Sequence, residues 1–238
     1  MDFCYPGACA VCRAATQGAA MVCAPCEEEL RKLEGAPACR SCGKPLAEAG
    51  APCGWCLGDG VAHFEWVLRL AVFTEPLKRL IHQAKYHRRW PLAEVLADRL
   101  LAQERIMALL RETDVVVPVP LHRLRQVARG YNQAEVIARR LASKSGKKLA
   151  RPVIRLRHTE SQTAMTSAKD REENMRDAFA LVDPRAVRGK RVIVVDDVMT
   201  TGATLRAVAR ALRPARPASL CAVVVAVADP KGRDFKSI

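Results

Sequence analysis

The fold is decided by the stretch Val192-Ile193-Val194-Val195-Asp196-Asp197-Val198-Met199-Thr200-Thr201-Gly202-Ala203-Thr204. Its run of β-branched aliphatic residues predicts a buried strand, which ends in two adjacent carboxylates. A short loop rich in threonine follows, and a helix is predicted to begin at its end. In a parallel sheet such a loop lies at the carboxyl edge, where ligands bind. The stretch therefore predicts an α/β domain with a ligand site at the end of this strand.

The residue types of this loop indicate the ligand. Free N–H groups at a helix N-terminus attract a phosphate, and a glycine lets the backbone approach it closely. The two carboxylates can accept hydrogen bonds from hydroxyls or from water bound to Mg²⁺. A ribose 5-phosphate group requires both the phosphate-binding loop and the carboxylates. The alternative, an ordinary strand-to-helix turn, requires neither. The predicted substrate-binding residues here are Asp196, Asp197, Thr200, Thr201, Gly202, Ala203 and Thr204.

Strands and helices alternate on both sides of this stretch. Further strands are predicted at residues 67–73, 114–120, 153–156 and 220–227, and helices at 76–85, 92–110, 132–143 and 204–212. This alternation predicts an α/β fold with a mostly parallel sheet and flanking helices.

Eight of the ten cysteines form four C-x2-C pairs near the N-terminus, and the second half of the pattern repeats the first after 30 residues. The paired residues are Cys9 and Cys12, Cys23 and Cys26, Cys39 and Cys42, and Cys53 and Cys56. Such spacing predicts two structural Zn²⁺ ions, each held by four thiolates. A disulfide framework and a redox pair are the alternatives. Sequential pairing of the halves fits the repeat best, while a cross-braced pairing stays open.

Cysteine usage changes near residue 60, which predicts a double zinc-ribbon module at 1–60 and the α/β domain at 61–238. The sequence contains no apolar run of roughly 20 residues and no charged, apolar leader. We therefore expect no membrane span, no signal peptide and a cytoplasmic location, where paired cysteines more often hold metal than form disulfides.

The formal net charge is +14, and it is unevenly distributed. Residues 61–238 carry 34 basic and 18 acidic groups, and residues 122–157 alone carry eleven Lys or Arg and one acid. Within this run Arg123, Arg125 and Arg129 are candidate contacts for single-stranded nucleic acid. The alternatives are contacts to substrate phosphates and an ordinary solvated face. Tyr131 is the only aromatic in the run, which weakens the case for a base-stacking groove.

The stretch 192–204 resembles the phosphoribosyl-pyrophosphate signature of type I phosphoribosyltransferases. The resemblance implies that Asp196 and Asp197 bind the ribose hydroxyls, that residues 200–204 surround the 5-phosphate, and that Mg²⁺ accompanies phosphoribosyl pyrophosphate. It also implies a pyrophosphate contact for the loop that contains Pro120 and Leu121, although prolines at a strand end predict no more than a strand stop. The polar residues 157–171 are either a hood over the substrate or a surface loop.

Over nearly its whole length the chain is similar to bacterial ComF-family proteins, which are linked to competence and DNA uptake. The matching pieces are Lys85-Tyr86, residues 117–122, Arg129-Gly130-Tyr131-Asn132-Gln133, Thr159, Gln162, Arg171, Asn174 and Phe179. This resemblance implies a substrate-binding role for Lys85, and competence proteins as partners.

Two functions compete at this stage. One is an enzyme that transfers a ribosyl 5-phosphate to a nitrogen nucleophile; the other is a non-catalytic sensor or single-stranded DNA-handling protein that keeps the site for binding. The sequence assigns neither an acceptor nor a general base, so catalysis stays open.

Overall fold

The computed structural model describes residues 7–18, 20–86, 89–157 and 178–228. Residues 158–171 of the polar segment, together with Asn174, lie outside these ranges. Within the described ranges no helix combines the length and the apolar character needed to cross a bilayer.

A five-stranded parallel sheet forms the centre of the molecule, in the order β3-β9-β8-β4-β5. The strands are β1 (Gly7–Ala8), β2 (Ala15–Thr16), β3 (Trp66–Val72), β4 (Val115–Pro118), β5 (Lys148–Leu149), β6 (Val153–Arg155), β7 (Phe179–Leu181), β8 (Arg191–Met199) and β9 (Ser219–Val227). The helices are α1 (Ala24–Glu34), α2 (Leu77–Tyr86), α3 (Trp90–Leu101), α4 (Glu104–Glu112), α5 (Arg123–Arg129), α6 (Gln133–Ser145) and α7 (Ala203–Leu212). The predicted parallel sheet is confirmed, because all four pairs of neighbouring strands in it are parallel.

Two details of the prediction are wrong. Residues 92–110 are two helices, because Gln103 is extended (φ −86°, ψ 114°) and separates α3 from α4. The apolar spacing continues across this break because both helices bury a face in the same core. The predicted strand at 153–156 is present as β6, which pairs antiparallel with β7 outside the main sheet. Finally, Asp196 and Asp197 lie within β8, which extends to Met199, and do not end the strand.

The cysteine-rich region packs directly on the α/β domain. Helix α1 places Glu27 and Glu34 against Arg99 of α3, which forms an ion pair with each of them. In β3 itself, Val67 N donates to the Arg40 carbonyl at 2.9 Å. The division near residue 60 stays a proposal, because the packing is continuous across it.

Arg69 is the charged residue that this packing buries most completely. Its side chain on β3 has 0% exposure, and Nη2 donates to the Pro37 carbonyl at 3.2 Å. Burial lowers the pKa of Arg69 to about 10, and the charge of Arg105 adds to that effect. The guanidinium thus joins the sheet to the segment that leads into the third cysteine pair.

Candidate functional site

The eight paired cysteines lie in two groups, and within each group the sulfurs are all within 4.8 Å of one another. One group contains Cys9, Cys12, Cys23 and Cys26, and the other contains Cys39, Cys42, Cys53 and Cys56. The structure thus groups the pairs sequentially, as the repeat favours.

The distances between sulfurs identify the kind of site. They are 3.5 Å between Cys12 and Cys23, and 3.7 Å between Cys42 and Cys53. A tetrahedron with Zn–S bonds of about 2.3 Å places its sulfurs roughly 3.8 Å apart. A disulfide would require about 2.05 Å. Both groups therefore fit a structural Zn²⁺ with four thiolate ligands.

Backbone donors prepare the first group for a metal. The N–H groups of Val11 and Cys23 donate to Cys9 Sγ at 3.4 and 3.3 Å. Burial raises the pKa of this thiol, but the backbone N–H groups of Cys12, Cys23 and Val11 outweigh that effect and lower the pKa to about 6. In the second group burial raises the pKa of Cys42, a 3% exposed residue. Because zinc binds thiolates, the ion would replace the proton there.

The carboxylate pair lies toward the carboxyl end of β8, between β4 and β9. Lys85, in the last turn of α2, places Nζ 3.0 Å from Asp197 Oδ2. The other Asp197 oxygen accepts from Val198 N at 2.6 Å, and Asp196 Oδ1 accepts from Asp197 N at 2.9 Å. The structure thus brings two predicted substrate-binding residues, Lys85 and Asp197, into contact.

Asp196 is the titratable group that the site perturbs most. Burial, and then the charge of Asp197, raise its pKa to about 7, against the opposing effects of the Asp197 N–H group, Lys85 and Arg155. A hydroxyl donor or a divalent cation would favour the ionised form of this pair. Mg²⁺ prefers one or two carboxylates together with substrate phosphates, so the oxygen donors present here fit that ion.

The threonine-rich loop follows β8 directly and leads into α7. Gly202 has φ 80° and precedes the first helical residue. Thr201 Oγ1 accepts from Ala203 N at 3.3 Å, and Arg206 Nη1 donates to the Thr201 carbonyl at 2.9 Å. The first N–H groups of a helix lack partners within it. Residues 200–204 therefore lead from β8 into the first turn of α7 and begin three residues beyond Asp197.

The loop after β4 lies beside the same strand. Pro118 is in register with Val195, and Val119 N donates to the Val195 carbonyl at 2.9 Å. Pro120 and Leu121 follow and line a cavity of 610 Å³. Four arginines also line this cavity, namely Arg123, Arg139, Arg151 and Arg155. The two carboxylates are not among its lining residues, although the charge of one lining residue, Arg155, acts on Asp196.

The basic residues 123, 125 and 129 lie on α5, a helix that the sequence analysis did not predict. Its side chains are not buried, and Leu124 and Val127 are exposed large apolar residues. Tyr131 and Gln133 were not predicted to make contacts at the site, although both reach α2. Asn132 caps the start of α6, and an asparagine at this position indicates where a helix begins. It does not indicate that Tyr131 and Gln133 contact α2.

The chain is similar to known proteins over most of its length. Residues 89–238 match the phosphoribosyl transferase domain, and residues 1–57 match the double zinc ribbon domain. The DNA utilization protein YhgH of Salmonella typhimurium is 35% identical over 213 residues, which cover 87% of this chain and 91% of that protein. Competence protein F of Haemophilus influenzae is 33% identical and covers 81% of this chain and 84% of its own. A solved structure of the allosteric regulatory enzyme of purine biosynthesis is 27% identical, with coverage of 56% of this chain and 25% of that chain and a TM-score of 0.36.

Proposed function

This chain belongs to the ComF family, which joins a double zinc ribbon to a phosphoribosyl transferase domain, and we propose that this domain binds the ribose 5-phosphate group of phosphoribosyl pyrophosphate together with Mg²⁺. One observation carries the proposal. The carboxylates of Asp196 and Asp197 and the N-terminal loop of α7 lie at the same edge of the sheet.

The two halves of this arrangement suit the two ends of one ligand. The helix terminus and the loop hydroxyls favour a dianionic phosphate, whereas the carboxylates favour hydroxyl donors. Lys85 adds a cation beside Asp197, where it can balance the charge of pyrophosphate oxygens. Pro120 and Leu121 lie on the next strand's loop and are proposed to border the pyrophosphate.

Titration calorimetry with ribose 5-phosphate tests the binding proposal. The variant with both Asp196→Asn and Asp197→Asn should bind more weakly, by about 1.5–3 kcal/mol for each charged hydrogen bond removed. Thr204→Val should weaken ribose 5-phosphate and leave any binding of free ribose unchanged, because only the former carries the phosphate. Unchanged affinity in the double carboxylate variant would overturn the assignment.

The same site could also carry out phosphoribosyl transfer. In that reaction a nitrogen nucleophile forms a bond to the anomeric carbon, the bond from that carbon to pyrophosphate breaks, and the nucleophile loses a proton. This chain's residues would contribute positioning and charge stabilisation. Pyrophosphate release on addition of a nucleobase supports the enzyme, and a bound donor without turnover supports a sensor or binding protein.

A second candidate function is contact with single-stranded DNA. The observation that favours it is α5, which presents Arg123, Arg125 and Arg129 together with exposed Leu124 and Val127. Phosphates are attracted to such guanidinium groups, and apolar side chains can pack against bases. Relatives named for competence and DNA utilization agree with this candidate.

A further inference from the structure

The segment 129–133 runs from the last residue of α5 to the first residue of α6. Gly130 ends α5 in the left-handed region with φ 82°. Asn132 begins α6, because its Oδ1 accepts from Ala134 N at 3.1 Å. Its Nδ2 also donates to the Val119 carbonyl at 2.9 Å, which connects the segment to the loop after β4.

Two other side chains of this segment reach α2. The Tyr131 hydroxyl donates to the Ala84 carbonyl, and Gln133 Nε2 donates to the same oxygen at 3.4 Å. Gln133 is 3% exposed, and Arg129 Nη1 donates to its Oε1 at 3.4 Å. The amide therefore has a partner on each side and a defined orientation.

Ala84 belongs to the last turn of α2, which ends at Tyr86. The last four carbonyls of a helix have no partner within the helix and must be satisfied from outside. Tyr131 and Gln133 therefore cap α2 from a different part of the chain. A helix end that is held in this way has a defined direction, and so does the side chain that follows the capped residue.

That next residue is Lys85, whose Nζ lies 3.0 Å from Asp197 Oδ2. The two side chains of this ion pair are only 19% and 15% exposed, so water screens it weakly. A lysine side chain has several rotatable bonds and holds a fixed position only where its backbone and its head group are both restrained. Here the cap restrains the backbone and Asp197 restrains the head group.

We propose that Tyr131 and Gln133 are positioning residues that hold the end of α2, so that the Lys85 amine stands at Asp197 in the ligand site. What the amine does there, which is to balance the charge of the bound phosphoribosyl compound, rests on the proposed function. The positioning itself does not, because both contacts are made between the chain's own residues. A merely structural role for the two residues would lower stability and leave the Lys85 amine as it is.

The test that needs no ligand measures the reactivity of the Lys85 amine in the full chain. Reductive methylation at low reagent concentration, read by mass spectrometry, should proceed about three- to tenfold faster at Lys85 in Tyr131→Phe and in Gln133→Leu, the range expected for loss of one hydrogen bond. Asp197→Asn is the positive control. Ser145→Ala is the matched control. It removes the hydrogen bond of 2.6 Å that the Ser145 hydroxyl donates to the Leu141 carbonyl at the end of another helix, α6.

The second measurement is a double-mutant cycle for ribose 5-phosphate affinity. Tyr131→Phe should weaken binding about three- to tenfold in the natural chain and have no effect in a Lys85→Met background, because residues that act through one group are not additive. If the natural chain does not bind ribose 5-phosphate, the proposed function fails and the methylation result alone decides this inference. Folded Tyr131→Phe and Gln133→Leu variants with unchanged Lys85 reactivity would overturn it.

Discussion

Gly202 joins the carboxylate strand to the helix of the phosphate loop, and its replacement by alanine tests the loop most directly. Its φ of 80° lies in the left-handed region that favours glycine. A Cβ at this position would lie 3.3 Å from Arg206 Nη1 and 3.3 Å from Val61 Cγ1. Val61 follows the second zinc group and is buried. The added carbon would thus press on the contact between the cysteine-rich region and the loop.

The magnitude has two parts. A non-glycine residue in the left-handed region costs roughly 1–2 kcal/mol. Crowding a packed neighbour typically adds about 1–3 kcal/mol, and Val61 cannot move away as freely as the end of the Arg206 side chain. We therefore expect Gly202→Ala to lower the free energy of unfolding by about 2–5 kcal/mol.

Gly189→Ala is the matched control. Gly189 also has a positive φ, of 64°, but nothing lies within 4 Å of the position of its Cβ. Urea denaturation should show a loss of only about 1–2 kcal/mol for this control, from backbone strain alone. Calorimetry should show weaker ribose 5-phosphate binding by Gly202→Ala and unchanged binding by Gly189→Ala. Equal losses of stability in the two variants, or unchanged affinity in Gly202→Ala, would refute the reasoning.

Elemental analysis should find about two Zn²⁺ per chain and about one in Cys12→Ser or Cys42→Ser, with the larger loss of stability for the buried Cys42; disulfides in freshly reduced, metal-free protein would contradict this. Because the pKa of Asp196 is raised from 3.8 to about 7, the folded chain retains a proton that the unfolded chain releases between these values. The free energy of unfolding should therefore fall as pH rises through that window, and urea denaturation should show a shallower fall for Asp196→Asn; an identical pH profile would rule this out. Replacing Arg123, Arg125 and Arg129 by alanine should flatten the dependence of log affinity for single-stranded DNA on log salt by roughly two, at about 0.7 for each phosphate contact, and an unaltered slope would remove these residues from the DNA interface.

The sequence alone determined the features that depend on neighbouring residues. The stretch 192–204 encodes strand, loop and helix in order, and the structure has β8, the loop and α7 there. The cysteine repeat likewise indicated two groups of four, because a C-x2-C turn brings its own two sulfurs together whatever the rest of the chain does.

Periodicity was less informative wherever the core continues across a turn or a strand leaves the main sheet. It could not separate α3 from α4, because the apolar spacing is the same on both sides of Gln103. It could not assign β6 to a separate antiparallel pair either, since a strand pattern does not specify its partner.

Only the tertiary structure decided which distant residues meet at the site. The Tyr131 hydroxyl caps a carbonyl 47 residues away, and Lys85 reaches Asp197 from a different helix. Val61 reaches Gly202 from the end of the cysteine-rich region. No local pattern specifies these contacts, because each exists only after the sheet has assembled and brought separate loops to its carboxyl edge.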